Sequence, residues 1–157
     1  MFTGGRQCGA IRFRVEAPVR RASICHCRMC QKATGGAFGA YASFPVGALA
    51  WTRGEPRRFQ SSGAICRGFC GDCGTPLTFE AVEGGRHIGL TVGAFDDPAA
   101  LAPQRQLERE SRLPWLDAIS GLPSRSSEDE AAMRAKYPPV VSHQHPDHDT
   151  ETWPPAS

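Results

Sequence analysis

Ile11, Phe13 and Val15 alternate with Arg12 and Arg14 near the start of the chain. Positions two apart share a face of an extended strand, so this run predicts a half-buried β-strand with its arginines toward solvent. Further short strand-like runs lie at about 38–44, 48–51, 57–60, 64–69, 77–80 and 87–92. Gly47, Gly54 and Gly63 fall between several of them and mark loops, and Glu83-Gly84-Gly85-Arg86 reads as a turn. Two helices are expected. A short one is capped by Asp96 or Asp97, with Pro98 in its first turn and Ala99 to Leu101 following. A second starts at Ser126 or Ser127. Its acidic opening Glu128-Asp129-Glu130 and its later Arg134 and Lys136 suit the helix dipole, and Pro138-Pro139 stops it. Beyond Tyr137 the chain is rich in Pro, His and Asp and has little to bury, so a mobile tail is expected. The predicted fold is mostly β, built of short strands, with one short internal helix and a C-terminal helix. Residues 1–124 form its domain, and residues 125–157 form the C-terminal helix and tail.

Composition agrees with a single globular domain. The 157 residues allow a real core, and 40% hydrophobic against 22% charged residues is an ordinary globular balance. A net charge of +2 gives no general drive toward nucleic acid or an anionic membrane. No apolar run approaches the roughly 20 residues of a membrane helix. The opening Met1-Phe2-Thr3-Gly4-Gly5 has no basic segment followed by an apolar one, so a cytoplasmic protein is expected. The sequence does not specify an oligomeric state.

Cysteine usage changes the picture most. There are seven, an odd number, so they cannot all pair within one chain. Without a secretion signal, clustered thiols read as metal ligands before they read as staples. Cys25, Cys27 and Cys30 form a Cys-x-Cys-x-x-Cys run that can aim three sulfurs at one point. Zinc takes thiolates at about 2.3 Å in a tetrahedron, so one corner is left for a distant residue, a water or a substrate. Cys70 and Cys73, followed by Gly74-Thr75-Pro76, make a Cys-x-x-Cys-Gly knuckle that supplies half of a site, with Cys8 as the nearest candidate partner. A redox dithiol would instead be expected in a βαβ context. All-sulfur ligation favours zinc over magnesium or calcium.

The segment Cys25-His26-Cys27-Arg28-Met29-Cys30-Gln31-Lys32-Ala33-Thr34-Gly35-Gly36 resembles the signature of the glutathione-dependent formaldehyde-activating enzyme family. So do Gly5-Arg6-Gln7-Cys8-Gly9-Ala10-Ile11-Arg12-Phe13 and Phe69-Cys70-Gly71-Asp72-Cys73-Gly74-Thr75-Pro76-Leu77. Glu110-Ser111-Arg112-Leu113-Pro114-Trp115 with Gly121-Leu122-Pro123 resembles the family's C-terminal stretch. The likeness runs in order from about residue 4 to 124. It implies a β-tent fold with two zinc sites. Cys25, Cys27 and Cys30 would form the catalytic site, with an open fourth corner. Cys8, Cys70 and Cys73 would belong to a structural site completed by another cysteine two before Cys8. That position is Arg6, which removes a ligand and brings a cation near, so the second site is expected to hold zinc weakly or not at all. Cys66, four before Cys70, is too far along a regular strand, about 13 Å, to complete it without a bend.

Three thiolates on zinc carry a formal charge near −1. Such a zinc polarises carbonyls weakly but binds a fourth sulfur well, as thiolate, and the thiolate is the nucleophile. The chemistry this suits is carbon–sulfur bond making or breaking. The resemblance specifies it further: a zinc-dependent lyase or adduct former joining a small thiol such as glutathione to an aldehyde such as formaldehyde. The alternatives are a non-catalytic zinc-stabilised module that binds a protein partner, and a redox or metal-buffering thiol protein. His26 inside the knuckle can act as an acid/base, though a structural role is favoured. Arg12, Arg28 and Lys32 can pair with a peptide-like thiol's carboxylates, though a solvated surface is favoured. Trp115 is expected in the core, His87 as a structural histidine, and His143, His145, Asp147, His148 and Asp149 as solvated tail groups.

Overall fold

A computed structural model describes residues 1–137 and 139–154. Its strands are β1 (Phe2–Gly5), β2 (Arg12–Val15), β3 (Arg21–Cys25), β4 (Gly39–Pro45), β5 (Leu49–Arg53), β6 (Arg57–Gln60), β7 (Ile65–Phe69), β8 (Thr78–Ala81), β9 (His87–Thr91) and β10 (Arg105–Leu107). Two α-helices, α1 (Arg28–Thr34) and α2 (Ser127–Lys136), join them. The strands form two open sheets, β1-β2-β5 and β10-β3-β4-β9-β8-β7-β6, antiparallel throughout except where β10 runs parallel to β3. The chain is thus β-rich, as expected.

The core lies where the small sheet covers one face of the large one. Ile11, Phe13 and Val15 of the β2 region meet Ala42 and Phe44 of β4, Ile88 and Leu90 of β9, and Leu77, Phe95 and Leu101. Phe13 sits edge-on to both Trp51 and Phe95, at 5.9 and 5.1 Å. Strand β1 reaches this core through Gly4, which bridges to Phe95; a Cβ there would overlap the Ala94 carbonyl. The Gly-rich β1, the polar β10 and β3, which runs into the cysteine motif, carry too little alternation to show in the sequence.

Helix α2 forms where expected, with the Ser126 hydroxyl accepting from the Asp129 N–H at 3.0 Å. Pro138, part of its expected stop, lies outside the described residues. The short helix expected after Asp97 is a 3-10 turn over Pro98–Leu101, capped by Asp97. The internal α-helix is instead α1, at the first knuckle. Seven residues are too few for an apolar period, and its cap is a cysteine rather than the usual Ser, Thr, Asp or Asn. Trp115 is 55% exposed, on a 3-10 segment (Pro114–Gly121) that lays no side chain into the core.

Arg12 departs from the alternation. It is buried, with its guanidinium bound to Asp96 at 2.6 and 2.8 Å and to Asp149 at 2.6 and 2.9 Å. Burial works to raise the Asp96 carboxyl, but hydrogen bonds from Arg12 and Thr3 outweigh it and hold the group below its ordinary value. A carboxyl depressed in the folded state contributes its full stability above its unfolded pKa, about 3.9, and loses it as pH falls through the folded value. Asp96→Asn is therefore expected to cost on the order of 3 kcal/mol at neutral pH, because it leaves a buried guanidinium short of a partner. The gap from the parent protein should shrink below about pH 3.9 in acid-unfolding curves. A gap independent of pH would remove the ion pair as its cause.

The tail also departs from expectation. His145 is buried, its N–H donates to the Gln7 carbonyl at 2.7 Å, and Asp149 and Thr150 meet Arg12 and Arg53. These partners are distant in sequence, which is why composition alone reads the segment as unpacked.

Candidate metal centre

Strand β3 ends at Cys25, Cys27 caps α1, and Cys30 lies in that helix's first turn, its N–H donating to the Cys27 sulfur at 3.4 Å. A strand end and a helix start therefore bring three sulfurs within 4.8 Å of one another. The edge of a zinc–thiolate tetrahedron is about 3.8 Å, so a small contraction closes the set. Among the described residues no fourth His, Cys, Asp or Glu joins them. Burial, with Cys30 and Cys27 adding to it, pushes the Cys25 thiol up to about 12. Burial also opposes ionisation of Cys27, but N–H donors from Cys30 and Met29 and the adjacent thiols bring it below its ordinary value. Three thiols this close do not all ionise by themselves; a dication at their centre is the group that lets them. The donor set fits zinc.

The side chains around this triad follow from strand alternation. Ala42 and Phe44 of β4 face the core, so Tyr41 and Ser43 face the other side of the sheet. Register then sets Ser23 beside Tyr41, Cys25 beside Gly39 and Arg21 beside Ser43. Arg21, Ser23, Tyr41 and Ser43, with Phe79, Ile65, His87 and Leu107, line a cleft of about 270 Å³ that Cys25 and Cys30 also border.

Arg67, on β7, was not singled out in the sequence. It is buried, and its guanidinium donates to the Cys30 sulfur at 3.4 Å and the Tyr41 hydroxyl at 2.8 Å while lying 5.0 Å over the Phe79 ring. Burial, reinforced by the nearby Cys30 sulfur, raises the Tyr41 hydroxyl well above its ordinary value, so it keeps its proton. An arginine at an inward position of a strand is the only sequence signal Arg67 offers.

His26 is buried, pairs through Nε2 with the Gln106 side chain at 3.0 Å, and lies edge-on to Phe38. It takes no part in the triad. Gln31 ties the knuckle down, donating to the His26 carbonyl at 2.8 Å and the Ser111 carbonyl at 3.2 Å. Arg28 and Lys32 are exposed. His87 is exposed at the rim of the cleft rather than packed.

Cys8, Cys70 and Cys73 also come within 4.8 Å of one another, and Cys66 joins neither group. The Cys70 sulfur accepts from the N–H groups of Asp72 and Cys73 at 3.1 and 2.9 Å, as well as from the Arg6 guanidinium. Burial raises the Cys8 thiol. At Cys73 burial is outweighed by hydrogen bonds from Thr75, which bring the thiol down to about 6.

A β-rich chain with two converging cysteine triads, one beside a cleft, defines a candidate thiol-ligated metalloprotein. The chain belongs to the glutathione-dependent formaldehyde-activating enzyme family, whose sequence pattern matches residues 1–110. A crystal structure of a Rhodobacter sphaeroides protein shares the fold, with a TM-score of 0.54 over 66% of this chain and 98% of that one, at 22% identity. No curated protein matches the chain. No helix among the described residues is long and apolar enough to cross a membrane.

Proposed function

We propose that this protein is a zinc-dependent, cytoplasmic enzyme of the β-tent fold that makes or breaks a carbon–sulfur bond between a small thiol and an aldehyde, with glutathione and formaldehyde as the first pair to test. The observation that carries it is the Cys25–Cys27–Cys30 triad, three thiols with no fourth protein ligand among the described residues, two of which, Cys25 and Cys30, line a cleft that a small molecule can enter. Zinc held by these three cysteines would supply a soft acid that keeps an incoming sulfur as thiolate at neutral pH.

The protein's own residues do the rest. Arg67 places a positive charge against Cys30, offsetting the negative excess of three thiolates. Because Arg67 donates to the Tyr41 oxygen, the Tyr41 O–H remains available to donate toward the cleft, where an aldehyde oxygen gains charge as sulfur attacks carbon. Arg20 and Arg21 at the rim offer charge to a substrate's carboxylates. The reducing cytoplasm would keep the ligands and the substrate thiol unoxidised.

Exchange between free glutathione and its S-hydroxymethyl adduct, followed by NMR with formaldehyde present, should quicken with zinc-loaded protein and return to the buffer rate with chelator. Arg67→Met should slow it about tenfold, the order seen when a partner of a metal ligand is removed. Zinc-loaded protein that leaves the exchange at the buffer rate would sink the reading. The alternative, a zinc-stabilised scaffold for a protein partner, draws on the exposed Trp115, Ile119 and Leu122. It would gain if the same protein were inert toward thiol and aldehyde pairs.

A further inference from the structure

Besides the site at the cleft, the fold brings a second thiol triad together, and there a cation is bound to one of the sulfurs. Arg6 is 7% exposed and its Nη1 donates to the Cys70 sulfur. Its Nη2 pairs with Asp72 at 3.3 Å, which fixes the guanidinium on the knuckle. A metal held by Cys8, Cys70 and Cys73 would share the Cys70 sulfur with this charge, and the two cations repel. The guanidinium thus occupies a sulfur that a metal at this triad would need.

A structural zinc would also cross-link the turn around Cys8 to the Cys70–Cys73 knuckle. Here protein groups already make that link. Gln7 donates from its side chain to the Cys73 carbonyl at 3.1 Å and from its backbone to the Thr75 hydroxyl at 3.4 Å. The tail then closes over the turn from the other side. The His145 N–H holds the Gln7 carbonyl at 2.7 Å, Trp153 and His145 pack on Gly9, and Asp149 reaches buried Arg12 at 2.6 Å. Gly9 has a φ of 69° and a Cβ there would collide with both rings, so the turn and the tail are shaped to each other. The tail lies beyond residue 110, where the family's pattern ends.

We infer that the Cys8–Cys70–Cys73 cluster of this chain does not keep a zinc ion: the Arg6 guanidinium occupies the Cys70 sulfur, and Gln7 with the 145–153 segment replaces the cross-link a metal would make. This goes beyond the proposed reaction and does not depend on it.

Zinc counts on the full chain, purified with zinc and dialysed against a mild chelator, test it. The Arg6→Cys count should exceed the wild-type count by one zinc per chain, and Cys73→Ser should leave the wild-type count unchanged. A count of one rising to two supports both this inference and the metal site at Cys25. A count of zero rising to one supports the inference and removes the metal at Cys25, so the two readings fail separately. A wild-type count of two, no rise on Arg6→Cys, or loss of one zinc on Cys73→Ser overturns it. If Arg6→Cys does not fold, the Cys73→Ser comparison decides between the same two outcomes.

Discussion

Replacing Cys30 with alanine is expected to abolish acceleration of adduct exchange and to weaken zinc binding at the first triad by a hundredfold or more. Structural zinc sites bind with about 10–16 kcal/mol, so a thiolate's share is on the order of 3 kcal/mol, and each 1.4 kcal/mol is a factor of ten. Cys30 is 1% exposed and sits in the first turn of α1, and among the described residues no further His, Cys, Asp or Glu joins the triad to stand in for its sulfur. The loss has a second part. Arg67 donates to that sulfur from a buried position, and its guanidinium would lose that acceptor, at a cost of about 1–3 kcal/mol. Competition with a chromophoric chelator measures the first effect and thermal unfolding the second. Cys66→Ala is the matched control, since Cys66 lies in neither triad and should leave zinc affinity unchanged. Equal affinity in Cys30→Ala and the parent protein would show that Cys30 is not a ligand.

The largest expected loss of stability comes from Phe13→Ala. Phe13 has no exposed surface and stands between the two sheets, edge-on to Trp51 and Phe95. A buried Phe→Ala change costs about 3–5 kcal/mol, part transfer and part cavity, and the rigid strands on both sides limit collapse into the hole. Against a typical total of about 5–15 kcal/mol this is a large share, worth roughly 10 °C in Tm at this chain length. Phe59→Ala, on the exposed edge strand β6 with 63% of its surface in water, should change Tm by only a degree or two. Similar shifts for the two variants would mean that the core does not join the sheets through Phe13.

Part of the site could be read before folding because its pieces are local. Three cysteines within six residues can reach one point whatever surrounds them, and that spacing is visible in the letters. The same holds for strand β9, whose buried and exposed positions alternate, and for α2, whose cap and charge order sit in one short segment. Helix α1 was not legible, because a thiol rather than a hydroxyl or carboxylate opens it.

What the chain determined by itself, then, is the β-rich class, the C-terminal helix and the two groups of cysteines. Tertiary structure alone decided what those cysteines face. Arg67 and Tyr41 are 26 residues apart and meet only because β4 and β7 belong to one sheet and present the same side. Arg12 is a surface residue by alternation and a buried one in the fold, because Asp96 and Asp149 arrive from 84 and 137 residues away to neutralise it. Tail residues His145 and Trp153 have nothing to bury against until the Gly9 turn is in place. Short-range patterns register which side chains a segment offers; partners across a sheet or across the whole chain are set by register and packing, which no window of neighbouring residues contains.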